Sequence, residues 1–380
     1  MNWIKHKLGD CAYLVRSSVQ PDEVKDEKYI GLEHISQGDL ALLGYGYAND
    51  VVSQKNQFIR GDILFGKLRP YFRKVILAPF DGVCSTDIWV VRAKPGIDQR
   101  FLYYWMASKE FVEKVSQASE GTKMPRASWG FAAQVESNIP PLSEQSAIAE
   151  VLSALDDKIE LNRRMNQTLE ELAQAIFKHW FVDNPERDGW EDGMIGSIAF
   201  IEKNTINPYH FPDGIYAHFS IPAFDDNRIP KIETGKLILS NKFVMPESCI
   251  LISKLNPLIK RIWFPSIQKY QSICSTEFLV VVPKQDYSKE YLFALLSEEG
   301  CYKRFTSLVT GTTGSHQRVK PDDFLDIEVR IPPISLINSF TKVTADIFNL
   351  INANITESNT LTELRDILLP KLMSGQVKVV

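Results

Sequence analysis

Two stretches of the chain, 192 residues apart, place apolar residues alternately four and three positions apart. Each stretch follows a Pro-Pro pair, through which a helix cannot extend backwards, and a serine (Ser143 or Ser335) at an expected capping position. The first series is Ile148, Leu152, Leu155, Ile159, Asn162, Asn166, Leu169, Ala173 and Ile176. The second is Phe340, Thr344, Ile347, Ile351, Asn354, Ser358, Leu361, Arg365 and Leu368. An average spacing of 3.5 residues is typical of coiled coils, so the pattern predicts two long, paired helices.

Both predicted helices carry asparagine at the same central position, Asn162 and Asn354. A polar residue in an apolar seam costs stability and fixes alignment. We therefore expect Asn162 to face Asn354 in an antiparallel pair and to set its register. The alternative is two amphipathic helices, each packed on its own domain. Pro370 is expected to break or kink the second helix, and Gly375 to end it.

The rest of the chain is also duplicated. The octets CSTDIWVV (84–91) and CSTEFLVV (274–281) are preceded by ILFGKLRPYFRKV (63–75) and ILISKLNPLIKRI (250–262). The octets and the ILFGKL and ILISKL runs have the composition of buried strands. A helix is predicted over 99–119, with Phe101, Tyr104, Trp105, Ser108, Phe111, Val112 and Val115 on one face, and its counterpart spans about 289–307. A gene duplication explains these ordered matches.

The predicted fold class is α+β, with two duplicated mixed α/β domains separated by two long antiparallel helices that form a coiled coil. The predicted domains are 1–142 and 184–334, and the predicted helices are 143–183 and 335–380, the last with a C-terminal tail.

Composition narrows the function only slightly. The formal net charge of −4 gives no general basic character, so any binding of nucleic acid must come from local clusters. Five cysteines without a CxxC pair disfavour zinc and disulfides, which fits a reducing cytoplasm. The amino terminus lacks the apolar core of a signal peptide, and no run approaches the roughly 20 apolar residues of a membrane span. We therefore expect a cytoplasmic protein without membrane contact.

Local clusters supply candidate DNA-binding residues. Phosphate contacts are predicted for Lys67, Arg69, Arg73, Lys254 and Lys260, with solvated strand ends as the alternative. Arg, Gln, Ser and Thr can also read base edges in the major groove. Base contacts are therefore predicted in two glycine–threonine loops, with plain surface turns as the alternative: Thr122, Lys123, Arg126 and Ser128 in the first loop, and Thr312, Thr313, His316, Gln317 and Arg318 in the second.

No motif for catalysis was found. Asn207-Pro208-Tyr209 lacks the second proline of a base methyltransferase motif, and no GxxxxGK[ST] cradle for ATP phosphates is present. The six histidines are scattered, which disfavours a metal site. The sequence therefore predicts neither catalytic nor metal-binding residues.

At residues 139–183, IPPLSEQSAIAEVLSALDDKIELNRRMNQTLEELAQAIFKHWFVD, the chain resembles the specificity subunits of Type I restriction–modification systems. Its echo IPPISLINSF (331–340), LLPKLMSGQV (368–377) and the paired GDILFGKLRP and ILISKLNP support the likeness. One departure is that Leu336-Ile337 replace the first element's Glu-Gln, which leaves open whether both helix starts make equal partner contacts.

The resemblance implies a prokaryotic, non-catalytic subunit whose two target-recognition domains read the halves of a split, asymmetric site in double-stranded DNA. It implies two methyltransferase subunits as partners, with motor-nuclease subunits completing the complex. No cofactor is expected on this chain; S-adenosylmethionine is expected on the methyltransferase, and ATP and Mg on the motor-nuclease. The alternatives are an autonomous methyltransferase or nuclease with unrecognised motifs, and a coiled-coil scaffold for proteins.

The first long helix is predicted to offer its outward face to partner subunits. Residues 143–183 hold more carboxylates than basic residues, which makes the helix a poor phosphate binder. Phe177, Trp180 and Phe181 near its end form an aromatic cluster that either contacts a partner or packs on the following domain.

Overall fold

Short strands and helices alternate with two long helices in this chain. The computed structural model describes residues 3–119, 123–226, 228–266, 268–310 and 317–379. The described helices are α1 (Leu8–Cys11), α2 (Gln99–Ala107), α3 (Lys109–Gln117), α4 (Trp129–Ala132), α5 (Leu142–Phe177), α6 (Ile195–Ile198), α7 (Ile221–Asp226), α8 (Lys289–Ser297), α9 (Glu299–Ser307), α10 (Pro321–Leu325) and α11 (Ile334–Met373).

The chain divides into two compact units. Unit 1 comprises Met1–Leu161 and Glu357–Val380, and unit 2 comprises Asn162–Thr356. The strands of unit 1 are β1 (Ile4–Lys7), β2 (Ala12–Leu14), β3 (Ser18–Val19), β4 (Lys28–Ile30), β5 (Gly46–Tyr47), β6 (Lys55–Phe58), β7 (Ile63–Gly66), β8 (Val75–Leu77), β9 (Gly82–Cys84), β10 (Ile88–Ala93) and β11 (Glu136–Ile139). Those of unit 2 are β12 (Glu191–Met194), β13 (Ala199–Glu202), β14 (Thr205–Ile206), β15 (Ile215–Phe219), β16 (Lys231–Thr234), β17 (Lys242–Val244), β18 (Ile250–Ser253), β19 (Ile262–Trp263), β20 (Gln271–Ser275), β21 (Phe278–Pro283) and β22 (Glu328–Ile331).

The two units share one sheet topology. Unit 1 has sheets of order β2-β10-β7-β8, β3-β6-β9-β4-β5 and β1-β11, and unit 2 has β13-β21-β18-β19, β14-β17-β20-β15-β16 and β12-β22. Pairing is antiparallel except for one parallel pair in each five-stranded sheet, β4 with β9 and β15 with β20. The duplication inferred from the sequence is therefore present strand by strand, and the mixed α/β class is confirmed.

Segments of the two long helices pair antiparallel within each unit. In unit 1, Lys158 Nζ lies 3.1 Å from Glu357 Oε2, and Asp156 Oδ1 lies 2.9 Å from Arg365 Nη1. All eighteen predicted seam positions are buried or partly buried, and none is exposed. The heptad pattern thus identified the inward faces of both helices correctly.

In unit 2 the seam contains a cluster of asparagines. Asn162 Nδ2 lies 3.4 Å from the backbone oxygen of Asn354, and Asn354 Nδ2 donates to Asn166 Oδ1 at 2.8 Å. Asn162 therefore faces Asn354 through its backbone, while the side-chain partner of Asn354 is Asn166. The role of these residues in setting the register remains a prediction.

The predicted single helix over 99–119 is two helices in the structure. Ser108 has extended backbone angles (φ −65°, ψ 144°), and its Oγ accepts from the N–H of Phe111 at 3.2 Å. The serine thus ends α2 and caps α3, as Glu298 does between α8 and α9 in unit 2. The apolar spacing continues across the break, which is why periodicity alone predicted one helix.

The ends of the long helices differ from prediction in three details. Helices α5 and α11 begin at Leu142 and Ile334, one residue before the serines predicted as caps. A π-helical turn, Lys178–Val182, follows α5. Pro370 does not break α11, which runs on to Met373; Gly375, with φ +72°, follows the end.

Unit 1 buries a group of charged side chains where α5 and α11 meet. The guanidinium of Arg365, fully buried, donates through Nη1 to Asp156 Oδ1 and to the backbone oxygen of Asp39, both at 2.9 Å. Tyr104 Oη donates to Asp156 Oδ2 at 2.7 Å. Burial lowers the pKa of Arg365, but attraction to Asp156 outweighs it, so the net shift is upward and the arginine stays charged.

Unit 2 fills the corresponding place with apolar groups. The repeat counterparts of Arg365, Asp156 and Tyr104 are Ala173, Phe348 and Ala294, all buried. The ring of Phe348 stacks on Phe264 with centroids 4.6 Å apart. The same site of the repeated fold is thus filled by an ion pair in unit 1 and by aromatic packing in unit 2.

We expect Arg365→Met to destabilise unit 1 by about 3–5 kcal/mol, because it leaves the largely covered carboxylate of Asp156, 22% exposed, without its arginine. The double variant Asp156→Leu with Arg365→Met imitates the apolar solution of unit 2 and should recover most of that loss. Urea unfolding, with hydrogen exchange of the peptide covering α2, measures both. A double variant as unstable as the single one would contradict this interpretation of the ion pair.

Candidate nucleic-acid interface

In unit 1 three segments meet where strand β7 ends. The N–H of Lys67 donates to the backbone oxygen of Asp87 at 2.9 Å, and the oxygen of Lys67 accepts from the N–H of Ala127 at 2.9 Å. The N–H of Arg69 donates to the oxygen of Pro125 at 2.8 Å. This loop junction fixes the end of the first glycine–threonine loop beside the octet that opens strand β10.

Unit 2 repeats the loop junction with other side chains. The N–H of Lys254 donates to the oxygen of Glu277 at 3.0 Å, and its oxygen accepts from the N–H of Val319 at 3.1 Å. The N–H of Asn256 donates to the oxygen of Gln317 at 3.0 Å. The same backbone connections therefore hold both loops, although the loop sequences differ.

An arginine–carboxylate pair closes each loop junction. Arg126 donates through Nε and Nη2 to the two carboxylate oxygens of Asp87 at 2.9 and 3.3 Å. Arg318 binds Glu277 in the same two-pronged way at 3.0 and 3.1 Å. The hydrogen bonds that both arginines donate to these carboxylates raise the pKa of the arginines. Nε and Nη2 of each arginine predicted to read bases are therefore bonded to a carboxylate of the same unit.

The backbone of the loop junction is strained at matching positions. Arg69 and Asn256, which are repeat partners, have φ of 49° and 47°, in the left-handed region that costs energy for residues with a side chain. Such residues persist where their surroundings hold them, and here their N–H groups are bonded to the loop. In addition, Arg69 Nη2 lies 3.4 Å from the backbone oxygen of Lys123.

Two of the predicted phosphate-binding residues make hydrogen bonds within their own units. Arg73 is buried, with its Nε donating to the oxygen of Ala107 at 2.6 Å. Lys260, its repeat partner, donates to the oxygen of Ser297 at 2.6 Å. Both cations thus satisfy the last carbonyl of a helix, α2 or α8, where positive charge is favoured. Burial lowers the pKa of Lys260. The burial of Arg73 argues against it as a phosphate contact, whereas Lys260 stays exposed.

The other candidates fall into three groups. Lys123 and Ser128 are exposed, and Ser128 immediately precedes helix α4. The side chains of Lys67, Arg69, Lys254 and Gln317 are partly exposed around the loop junctions. The candidates outside the described residues are Thr122, Thr312, Thr313 and His316.

Asp87 and Glu277 were missed as candidates by reasoning from the sequence. Their signal lies in the opening octets, which share Cys-Ser-Thr and then place an acid, Asp in one repeat and Glu in the other. The partner of each acid is an arginine about 40 residues away in sequence, which the octets alone do not reveal.

The structure explains the missing Glu-Gln of the second helix start. Gln145 is buried in unit 1, where its Oε1 accepts from the N–H of Asp98 at 2.8 Å and its Nε2 donates to the oxygen of Pro140 at 2.9 Å. Its counterpart Ile337 is fully buried in the apolar core of unit 2. This position therefore serves the interior of each unit.

The aromatic cluster at the end of the first long helix also packs internally. Phe181 lies within unit 2 against Phe340 and Tyr291, with ring centroids 5.3 and 5.2 Å apart. Phe177 and Phe181 are buried, and Trp180 is partly buried. Of the two interpretations of the cluster, packing on the following domain is confirmed.

In the part of the chain that the structure describes, no group of His, Cys, Asp or Glu could hold a metal ion. The five cysteines are buried and unpaired, and burial raises the pKa of Cys84 and Cys274. None of the described helices combines the length and apolar character needed to cross a membrane.

The chain is similar to known proteins over its whole length. Residues 2–171 match the Type I restriction modification DNA specificity domain. The Type I restriction enzyme HindI specificity subunit of Haemophilus influenzae is 25% identical, over 99% of this chain and 100% of that protein. The MjaIX specificity subunit of Methanocaldococcus jannaschii is 26% identical, over 100% and 94%.

One solved structure has a similar fold. The Type-I restriction-modification system S subunit from M. genitalium superposes with a TM-score of 0.52 at 17% identity, over 98% of this chain and 96% of that chain. At this identity the likeness shows the fold alone, while the sequence matches confirm the resemblance expected from residues 139–183.

The loop junction predicts a local effect of removing one carboxylate. Asp87→Asn weakens the two-pronged bond to Arg126, so amide exchange of the peptide covering 123–128 should rise, by about fivefold. The melting temperature should stay unchanged, because the pair is half exposed. Glu277→Gln is the matched control: it should affect the peptide around 317–319 and leave 123–128 as in the parent chain. Unchanged exchange in both peptides would contradict a holding role for the pairs.

Proposed function

From the relationship of this chain to the specificity subunits of Type I restriction–modification systems, we propose that it reads a bipartite, asymmetric site in double-stranded DNA, one half-site with each unit. The observation that carries the proposal is the loop junction, built twice with the same backbone bonds and the same type of ion pair. Because the loops above it differ in sequence, the two units are suited to different half-sites.

The candidate residues divide into three roles under this proposal. Phosphates are contacted by Lys67, Arg69, Lys123 and Lys254, which supply affinity without sequence preference. Arg126 and Arg318 hold the loops in position through Asp87 and Glu277. Base edges are read by the loop residues Thr122, Ser128, Thr312, Thr313, His316 and Gln317.

The partners follow from the same proposal. Methyltransferase subunits, which carry S-adenosylmethionine, dock on the outward faces of the long helices, and motor-nuclease subunits carry ATP and Mg. Large apolar side chains exposed on these helices support docking there: Leu161 and Leu172 on α5, and Val343, Leu350, Leu364 and Ile367 on α11. Asp156, one of the carboxylates of residues 143–183, is paired with Arg365 inside unit 1.

Methylation mapping tests the proposal. The purified chain alone should neither bind S-adenosylmethionine nor modify DNA, and adding a methyltransferase subunit should yield adenine methylation at a split site. Arg126→Ala and Asp87→Asn should then both weaken recognition of the same half-site, by about tenfold, while Arg318→Ala and Glu277→Gln should affect the other. If only the arginine variants matter, the arginines read bases directly. Methylation by the chain alone, or four variants with unchanged sites, would reject the proposal.

The helix pair offers a second, independent test. Seven residues inserted after Leu161 and seven after Thr356 fall at the boundary between the units, and whole heptads preserve the seam register. Seven helical residues add roughly 10.5 Å, which corresponds to about three base pairs of B-form DNA. Mapped sites of this variant should keep both half-sites and lengthen the unread spacer. Insertion into one helix alone is the control and should abolish methylation, because the seam no longer matches.

A further inference from the structure

A short turn follows the loop-junction strand in each unit. It reads Pro-Tyr-Phe-Arg-Lys at 70–74 and Pro-Leu-Ile-Lys-Arg at 257–261, a proline followed by two apolar and two basic residues. The first apolar residue is exposed in both turns, to 53% for Tyr71 and 70% for Leu258. The turn therefore presents a large apolar side chain to solvent at the same place twice.

The basic residues of the turn have structural roles inside each unit. Arg73 and Lys260 satisfy the ends of helices α2 and α8, as described above. Lys74 Nζ donates to the backbone oxygens of Leu32 and Ile35 at 2.6 and 2.7 Å, and Arg261 binds the carboxylate of Asp225. The basic residues of the turn are thus engaged in contacts within the unit. The ring of Tyr71 contacts Phe72 over only part of its surface, with centroids 4.7 Å apart, and about half of Tyr71 and most of Leu258 stay exposed.

The exposed residues stand next to the proposed reading loops. The left-handed residues Arg69 and Asn256 lie two positions before them, and the N–H groups of both are bonded to loop carbonyls. In unit 1 the loop itself exposes another apolar side chain, Met124, at 56%. Each tip is therefore carried by backbone that is fixed to the loop and cannot swing away independently.

Charge around the tips favours DNA as the partner. Arg69, two positions before the first tip, has its Nη2 3.4 Å from the backbone oxygen of the exposed Lys123. The partly exposed Lys254 precedes the second tip by four residues. Phosphates on either side of a base step would meet these cations, while the apolar tip would meet the faces of the bases. A duplex opened at one base step offers both surfaces together, base faces within the step and phosphates on either side.

We propose that Tyr71 and Leu258 are wedges that insert between adjacent base pairs, one at each half-site, and unstack them. This inference rests on the proposed function and adds deformation of the DNA to the reading of its sequence. Apolar side chains used in this way open a base step and kink the duplex. An enzyme that modifies a base must take it out of the stack, and a stack already opened beside the target lowers that cost.

The two wedges make a matched pair for an experiment. The assembled complex with its methyltransferase subunit is first used to map the site. Duplexes with 2-aminopurine placed at successive positions of one half-site then report unstacking as a rise in fluorescence on binding. The parent chain should give a rise at one step in each half-site.

Tyr71→Ala should abolish the rise in the half-site read by unit 1 and weaken binding about tenfold, while leaving the other half-site as in the parent. Leu258→Ala should do the reverse. Tyr71→Phe and Leu258→Met keep an apolar tip and should retain the rise, which separates a wedge from a hydrogen-bonding role of the tyrosine. Melting temperatures of all four variants exclude misfolding, because both positions are exposed.

Two outcomes would overturn the inference. The first is a parent complex that binds its mapped site without any fluorescence rise, or a rise that both alanine variants keep. The second is a loss of methyltransferase-subunit binding by the alanine variants with DNA affinity unchanged, which would make the tips a protein contact. If instead no specific site can be mapped at all, the proposed function fails before the wedges are tested.

Discussion

The core of each unit depends on segments of both long helices, α5 and α11. The core of unit 1 contains Leu152 from α5 and Leu369 from α11, and that of unit 2 contains Ala173 from α5 and Phe340 from α11. Burial of these apolar faces is the dominant favourable term in folding, so neither core is complete without both helices. The seam spacing of 3.5 residues is therefore a requirement of two cores at once, and a change of register in either helix would expose both.

The two units differ in the residue types at an internal contact between the long helices, but they have the same type of ion pair where a loop is held. At one site along the helix pair, unit 1 has the ion pair of Arg365 and Asp156, whereas unit 2 has the apolar counterparts Ala173 and Phe348. A buried ion pair adds little net stability, but it penalises pairings that leave either charge alone, so it distinguishes the two ends of the helix pair. The loop junctions, by contrast, retain an arginine and a carboxylate in both units even though Asp87 is replaced by Glu277.

The sequence predicted the repeat, the paired helices and their inward faces because these follow from periodicity over many residues. It did not predict the break at Ser108, since an extended residue between two helices leaves the apolar spacing almost unchanged. It assigned Arg73 and Lys260 to phosphate contacts because the same residue types, arginine and lysine, bind phosphates and satisfy the carbonyls at helix ends. It did not reveal the arginine partners of Asp87 and Glu277. Each contact joins segments about 40 residues apart, and periodicity along the chain does not show which distant segments meet in the fold.

The division of α11 between the units has a consequence for synthesis on the ribosome. Every residue of unit 2 has been made by Thr356, whereas unit 1 still lacks its segment from Glu357 onward. The domain that is translated first is therefore the last to close, and the apolar face around Leu152 stays open to water until the final turns of α11 emerge. A premature stop in that last stretch would leave a finished second half attached to a first half that cannot complete its own interior.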